Sequence, residues 1–136
     1  MKTSVSLNEN MHFTAKLDGF EISMDAGESV GGQGKGVKPK GLTLVSLAGC
    51  TGMDVISILR KMRAEPETFS INVEAETSDE HPKVYTTIKV IYRFKGGDIT
   101  RDKAEKAVQL SQEKYCGVSA MLKKAATIDY EIIIED

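Results

Sequence analysis

Three short runs at the start of the chain alternate apolar with polar residues. The runs are residues 2–9, 13–17 and 20–24. A period of two is typical of strands that turn one face to a core. Asp18 and Gly19 stand between the last two runs, and a DG pair flanked by alternating apolar residues indicates a hairpin. The first 24 residues therefore predict three antiparallel strands.

Residues 42–64 change to a helical pattern that is apolar almost all round. The apolar members are Leu42, Leu44, Val45, Leu47, Ala48, Cys50, Met53, Val55, Ile56, Ile58, Leu59 and Met62. A helix of this kind is buried on most of its sides. Basic residues fill its last turn and Pro66 follows, which are both signals of a helix end. We expect a central core helix that carries Cys50 in its first half.

The remaining pattern predicts two long strands, two helical pieces and a last strand. Residues 69–77 and 84–94 alternate around a turn at 79–83. Thr100 is a candidate N-cap for an amphipathic helix, Gly117 indicates a break in it, and 128–134 closes as a strand. The order βββ-α-ββ-αα-β predicts a single α+β domain over 1–136, with a mostly antiparallel sheet and one hydrophobic central helix.

A glycine-rich segment separates the third strand from the central helix. Residues 27–41 contain six glycines, which disfavour regular structure and indicate a mobile surface loop. The segment matches neither GxxxxGK[ST] nor GxGxxG, so it does not indicate a phosphate site.

Composition and charge exclude some classes of function. The net charge is −2, from 18 basic and 20 acidic residues that are interspersed, and there is no Trp. Nucleic-acid binding normally requires a basic stripe, which is missing here. No run of about 18 apolar residues predicts a membrane span, and the first residues lack the apolar core of a signal peptide. We expect a cytoplasmic protein, where disulfides are usually catalytic or redox-sensing.

Cys50 and Cys116 are the candidate reactive residues. By count alone, two cysteines are more simply buried apolar residues. Small residues surround both of them, however, and a thiol that must meet a peroxide and then a second sulfur needs that room. The lone His12 and His81 form no metal-spacing set with the cysteines, which argues against zinc and leaves no cofactor to expect.

Two strings around these cysteines resemble the OsmC/Ohr family of osmotically inducible and organic hydroperoxide resistance proteins. The first is Pro39, Leu42, Ser46, Leu47, Cys50, Met53, Asp54 and Val55, and the second is 114–120 (KYCGVSA). The resemblance covers essentially the whole chain. It implies an OsmC-like fold, an intertwined homodimer, and a peroxidase that reduces organic hydroperoxides.

The same resemblance implies roles for both thiols. Cys50 attacks the hydroperoxide and becomes a sulfenic acid, and Cys116 resolves it as a disulfide that an external dithiol reduces. The reverse assignment is chemically open, and only the likeness of the Cys50 helix to the family's reactive-cysteine helix sets the order. The apolar helix gives a second reason to expect a homodimer, because it has more apolar faces than one such domain covers easily.

The chain departs from the family pattern near the first cysteine. Active members place an Arg and a Glu against the reactive sulfur, but no Arg precedes Arg60 here and Pro39 is followed by Lys40 and Gly41. Lys38 or Lys40 could supply positive charge instead. Asp54 lies on the same helical face as Cys50 and could orient the thiol through a hydrogen bond, but we interpret it as the partner of a basic residue in a salt bridge. The departures support an alternative: a non-enzymatic scaffold that binds a hydrophobic small molecule or senses redox state.

Overall fold

The first part of the chain is a three-stranded meander. The structure, a computed structural model, describes all 136 residues, which divide into two units, 1–44 and 45–136. The first unit has the sheet order β1-β2-β3, formed by β1 (Thr3–Glu9), β2 (His12–Leu17) and β3 (Phe20–Met24). Asp18 and Gly19 have φ values of 52° and 82°, the positive values that a two-residue type I′ turn requires. The predicted antiparallel strands are confirmed.

The glycine-rich segment after β3 is a loop that closes on one carboxylate. The Asp25 side chain, in a residue only 3% exposed, accepts hydrogen bonds from three backbone N–H groups. The donors are Ala26 at 2.7 Å, Gln33 at 3.1 Å and Lys35 at 3.1 Å. These three bonds tie both ends of the loop to Asp25. A Cβ on Gly32 would lie 1.7 Å from the Ala26 carbonyl oxygen, so the closed loop requires glycine there.

The second unit contains most of the long helix, a second sheet and two shorter helices. Helix α1 spans Gly41–Lys61, and its first four residues fall within the first unit. The sheet has the order β4-β5-β6, formed by β4 (Thr68–Thr77), β5 (Tyr85–Lys95) and β6 (Thr127–Glu135). A π-helical turn at Ser111–Tyr115 separates α2 (Arg101–Leu110) from α3 (Gly117–Leu122). As predicted, the Thr100 hydroxyl caps α2 by accepting from the Lys103 N–H.

The sheet arrangement differs from the prediction in two ways. The strands form two three-stranded sheets where one mostly antiparallel sheet is expected. In addition, β5 and β6 are parallel, whereas the other three strand pairs are antiparallel. The reason is the connection: α2 and α3 lie between β5 and β6, and a crossover of that length joins parallel neighbours.

Helix α1 is buried along one stripe. Its fully buried residues repeat every four positions and are Leu47, Thr51, Val55 and Leu59. Val45 is 65% exposed and Met53 is 73% exposed, so the prediction of a helix buried on most sides is wrong for a single chain. Helix α1 has a mean hydropathy of 1.8 and, by length and composition alone, could cross a membrane. This corrects the expectation that no segment of the chain is long and apolar enough to do so. A single helix of this kind is weak evidence, because the core helix of a folded domain passes the same test.

Candidate functional site

The two cysteines lie side by side although 66 positions separate them in sequence. Cys50 is in the middle of α1, and Cys116 stands between the π-helical turn and α3. Their sulfurs are within 4.8 Å of each other, and both cysteines are free thiols. The expectation that the pair would lie close together is therefore confirmed. Forming a disulfide requires the sulfurs to approach to about 2.05 Å.

Cys116 is the more enclosed of the two. It is 3% exposed and is the N-cap of α3, where its sulfur accepts a hydrogen bond from the Ser119 N–H at 3.3 Å. The predicted helix restart at Gly117 is thus confirmed. Burial is the main cause that raises the pKa of the Cys116 thiol to about 11; the neighbouring Cys50 and Asp54 contribute to this rise, and the Ser119 hydrogen bond opposes it. At neutral pH Cys116 is a protonated thiol.

Cys50 is half-buried. A Cβ added at Gly49 would meet no heavy atom within 4 Å, so the surface of α1 is open at that neighbouring position. The next glycine has a packing role, because a Cβ at Gly52 would lie 3.0 Å from Cδ1 of Ile71 on β4. Thr51 is fully buried and hydrogen-bonded. Of the small residues that flank Cys50 in sequence, Thr51 and Gly52 are therefore packed against other parts of the fold, and Gly49 is not.

Asp54 completes the cluster, and its role differs from the prediction. One of its carboxylate oxygens is within 4.8 Å of both sulfurs. The Ser111 hydroxyl donates to Oδ2 at 3.0 Å, and none of the ion pairs of the chain involves Asp54. The expected salt bridge to a basic residue is wrong, because the carboxylate faces the thiols and a hydroxyl instead.

A buried chain of hydrogen bonds connects Asp54 with the surroundings of Cys116. It runs from Ser111 to Thr51, from Thr51 to Tyr92, from Tyr92 to Gln112 and from Gln112 to Ser119, each link 2.7 Å long. Because Ser111 donates its only hydroxyl proton to Asp54, it must accept from Thr51, which in turn accepts from Tyr92. All of these hydroxyl protons then point toward Asp54. Burial raises the pKa of Tyr92, although its hydrogen bonds to Thr51 and Gln112 lower it, so this phenol keeps its proton.

The sequence analysis does not find this network. Its members are polar residues on α1, β5, the π-helical turn and α3, and Thr51 and Ser111 are 60 positions apart. No local spacing relates them. One signal in the sequence points to the network. Thr51 and Tyr92 are polar, although the periodicity of their helix and strand places them in the core.

The two histidines lie outside the cluster of thiols and carboxylate. His12, on β2, contacts Ser23 Oγ through Nε2 at 2.6 Å and the Asn8 side chain through Nδ1 at 3.2 Å. His81 is exposed in the connection between β4 and β5. Neither residue belongs to the group of possible metal ligands.

Two open clefts lie beside α1 in the second unit. A cleft of about 420 Å³ has Asp54 and Lys61 on its wall, together with apolar side chains of Ile58, Met62 and Leu110. A larger groove, of about 640 Å³, is lined by apolar residues that include Val45, Met53 and Phe69. The smaller cleft is the one that reaches the cluster, through Asp54.

Comparison with known proteins gives consistent matches over most of the chain. The family model described as OsmC-like protein matches residues 32–131. Protein YhfA of Escherichia coli K12 is 33% identical, with 98% of each chain covered. A hypothetical protein from Aquifex aeolicus has a similar structure, with a TM-score of 0.83, 34% identity and coverage of 99% of this chain and 97% of that one. The organic hydroperoxide resistance protein OhrB of Bacillus subtilis shares the fold, with a TM-score of 0.68, 17% identity and 96% of each chain covered.

Proposed function

We propose, from the premise that this chain belongs to the family of OsmC-like proteins, that it is a thiol-dependent peroxidase that reduces organic hydroperoxides through Cys50 and Cys116. The observation that carries the proposal is the approach of the two sulfurs to within 4.8 Å across 66 positions of sequence. The name of the B. subtilis protein of the same fold supports this substrate class.

The reaction balances with these two thiols and an external dithiol. The Cys50 thiol first releases its proton to solvent. The thiolate attacks the terminal oxygen of ROOH, so that an S–O bond forms and the O–O bond breaks, and the alkoxide leaves and takes one proton back from solvent to become the alcohol. Cys50 is then a sulfenic acid. The Cys116 sulfur attacks that sulfenic sulfur, an S–S bond forms, and the hydroxyl leaves as water with the proton of the Cys116 thiol. A reducing dithiol restores both thiols by exchange.

The exposure of the two thiols supports this order of roles. Cys50 is half-buried, whereas Cys116 is 3% exposed and protonated at neutral pH. An entering hydroperoxide therefore meets Cys50 first. Once the Cys50 sulfenic acid has formed, the enclosed Cys116 needs only to shift toward it.

The cleft that reaches Asp54 supports an alkyl or aryl hydroperoxide as the substrate. Apolar side chains on its wall suit the organic group, and the Asp54 carboxylate suits the polar end. Asp54 is the acidic group that the chain offers beside the thiols, in place of the Glu that the resemblance expects after Pro39. Whether Lys38 or Lys40 adds positive charge at Cys50 stays a prediction.

The proposal includes a cytoplasmic homodimer of single-domain chains. Every residue of β1 is exposed, with Val5 at 50% and Leu7 at 56%, and α1 exposes Val45 and Met53. Exposed apolar surface of this extent is typical of a protein interface. A cytoplasmic location would supply the dithiol that returns the pair to its reduced state.

The test is consumption of tert-butyl hydroperoxide with a dithiol reductant in excess. We expect Cys50→Ser to lower turnover at least about 100-fold, because it removes the atom that reacts. Cys116→Ser should stop turnover but still form a Cys50 sulfenic acid that dimedone traps once per chain. Ser6→Ala, an exposed change on β1, is the control and should match the wild type. Turnover that survives in Cys50→Ser would contradict the mechanism.

A second candidate function rests on the groove of about 640 Å³ on α1. Its lining is mostly apolar and does not include Cys50, so it could hold a hydrophobic molecule without thiol chemistry. A folded wild-type protein that consumes no hydroperoxide, yet binds an apolar fluorescent probe that Met53→Lys displaces, would favour this alternative.

A further inference from the structure

The thiols and the carboxylate form a cluster of three potential metal ligands. Cys50 and Asp54 are four residues apart on one face of α1, and Cys116 faces them from the start of α3. The two sulfurs and one carboxylate oxygen all lie within 4.8 Å of one another. The sequence argument against zinc considers only the histidines as partners of the cysteines, whereas the fold brings the Asp54 carboxylate to both sulfurs.

The spacing of these atoms is close to that of a tetrahedral zinc site. With Zn–S bonds of about 2.3 Å and Zn–O bonds of about 2.1 Å, neighbouring ligand atoms lie about 3.5–3.8 Å apart. From an upper limit of 4.8 Å, the cluster must contract by about 1.0–1.3 Å at most, which side-chain rotation at Cys50 and Asp54 can supply. Both residues are half-buried, which leaves a fourth position open to water.

The chemistry of the cluster favours a cation. Once deprotonated, two thiols and a carboxylate carry three negative charges, and no basic side chain forms an ion pair with Asp54. Thiolate ligands select zinc over magnesium and calcium. Ser111 donates to Oδ2 of Asp54 and so holds the carboxylate in place, which is the usual outer-sphere support of a zinc ligand.

We propose that the reduced chain binds one Zn²⁺ ion through the sulfurs of Cys50 and Cys116 and the carboxylate of Asp54, with water as the fourth ligand. Binding displaces both thiol protons to solvent. A Cys50–Cys116 disulfide removes both sulfur ligands, so the oxidised chain cannot hold the ion. The site is thus a zinc site that exists only in the reduced protein, and this inference does not depend on peroxidase activity.

The test uses Co²⁺ as a spectroscopic substitute, titrated into the reduced full chain without oxygen. We expect one Co²⁺ per chain, sulfur-to-cobalt charge-transfer absorption, and visible bands of tetrahedral intensity that Zn²⁺ abolishes by displacement. Cys50→Ser and Cys116→Ser should each lose most of the charge-transfer absorption. Asp54→Asn should weaken binding at least about 10-fold, whereas the control Asp79→Asn, an exposed change in the β4–β5 connection, should not.

Several outcomes would overturn the zinc site. These are an absence of charge-transfer absorption in a reduced chain whose circular dichroism is native, equal binding by the disulfide form, or one Co²⁺ per two chains. Hydroperoxide turnover is measured separately on metal-free protein. A metal-free enzyme that is active but binds no Co²⁺ rejects the zinc site alone, and a chain that binds Co²⁺ without turnover rejects the peroxidase alone.

Discussion

The difference between the two thiols is set by a few neighbouring groups. Both cysteines are next to small residues in the sequence, and nothing in those strings ranks their reactivity. In the fold, Cys116 is enclosed and carries a raised pKa, whereas Cys50 stays half-buried beside Gly49. The sequence could predict which two cysteines form the pair. It could not predict their difference in exposure and pKa, because burial is a property of the assembled core.

The difference in exposure and pKa between Cys50 and Cys116 predicts that an alkylating reagent modifies one thiol faster than the other. At pH 8 a thiol with a pKa of about 11 is about 0.1% thiolate, and the thiolate is the form that reacts. We expect iodoacetamide to modify Cys50 at least about 10-fold faster than Cys116 in the reduced native protein, as measured by peptide mass spectrometry. The rate at Cys116 should rise as the pH increases toward 11. In denaturant the two rates should become equal, and equal rates in the native protein would contradict the assignment.

At the scale of elements, local patterns predict most boundaries correctly. The DG turn, the Thr100 cap and the break at Gly117 all occur where the sequence indicates them. The π-helical turn at Ser111–Tyr115 was not predicted, because amphipathic spacing cannot show one extra residue in a turn. That turn carries Ser111 and Gln112 into the buried network, and π-helical turns are frequent at functional sites.

The loop that closes on Asp25 gives a prediction at this scale. Asp25→Asn replaces an acceptor-only carboxylate by an amide with one acceptor oxygen, so the three N–H bonds cannot all persist. The single amide oxygen can replace Oδ1, which accepts from Ala26, or Oδ2, which accepts from Gln33 and Lys35, so we expect faster hydrogen exchange at Ala26 or at both Gln33 and Lys35, measured by NMR. Asp18→Asn is the matched control, because Asp18 is exposed and asparagine tolerates its positive φ.

The same loop should respond to acid. Burial raises the pKa of Asp25, but the N–H bonds from Lys35, Gln33 and Ala26 outweigh it and leave this pKa below its usual value of 3.8. A lowered pKa in the folded state means that the stabilisation is fully present above that usual value and disappears as the pH falls through the folded value. Exchange in the wild type should therefore approach that of Asp25→Asn only below about pH 3.8. Unchanged exchange in Asp25→Asn at pH 6 would contradict the role of the carboxylate.

At the scale of the whole molecule, the sequence predicts the family better than the arrangement of strands. Two strings around the cysteines are enough to indicate an OsmC-like protein, and the match over 32–131 confirms it. The separation into two sheets could not be derived, because alternation shows that a segment is a strand but not which strand it pairs with. The excess apolar surface of α1 is visible in both the sequence and the fold.

That surface gives the last prediction, which concerns assembly. Val45 and Met53 are exposed in the single chain, so changing either to lysine removes no contact from the core of the chain. If α1 packs against a second copy, Met53→Lys buries a charge without a partner and should shift the dimer to monomer, measured by sedimentation velocity. An obligate interface buries over about 2,000 Å², so Val45→Lys with Met53→Lys should separate the chains more completely. The control is Gln109→Lys on the exposed face of α2, which adds the same charge and should leave the dimer intact. A wild-type chain that sediments as a monomer at micromolar concentration would reject the dimer, and the exposed stripe of α1 would then need another partner.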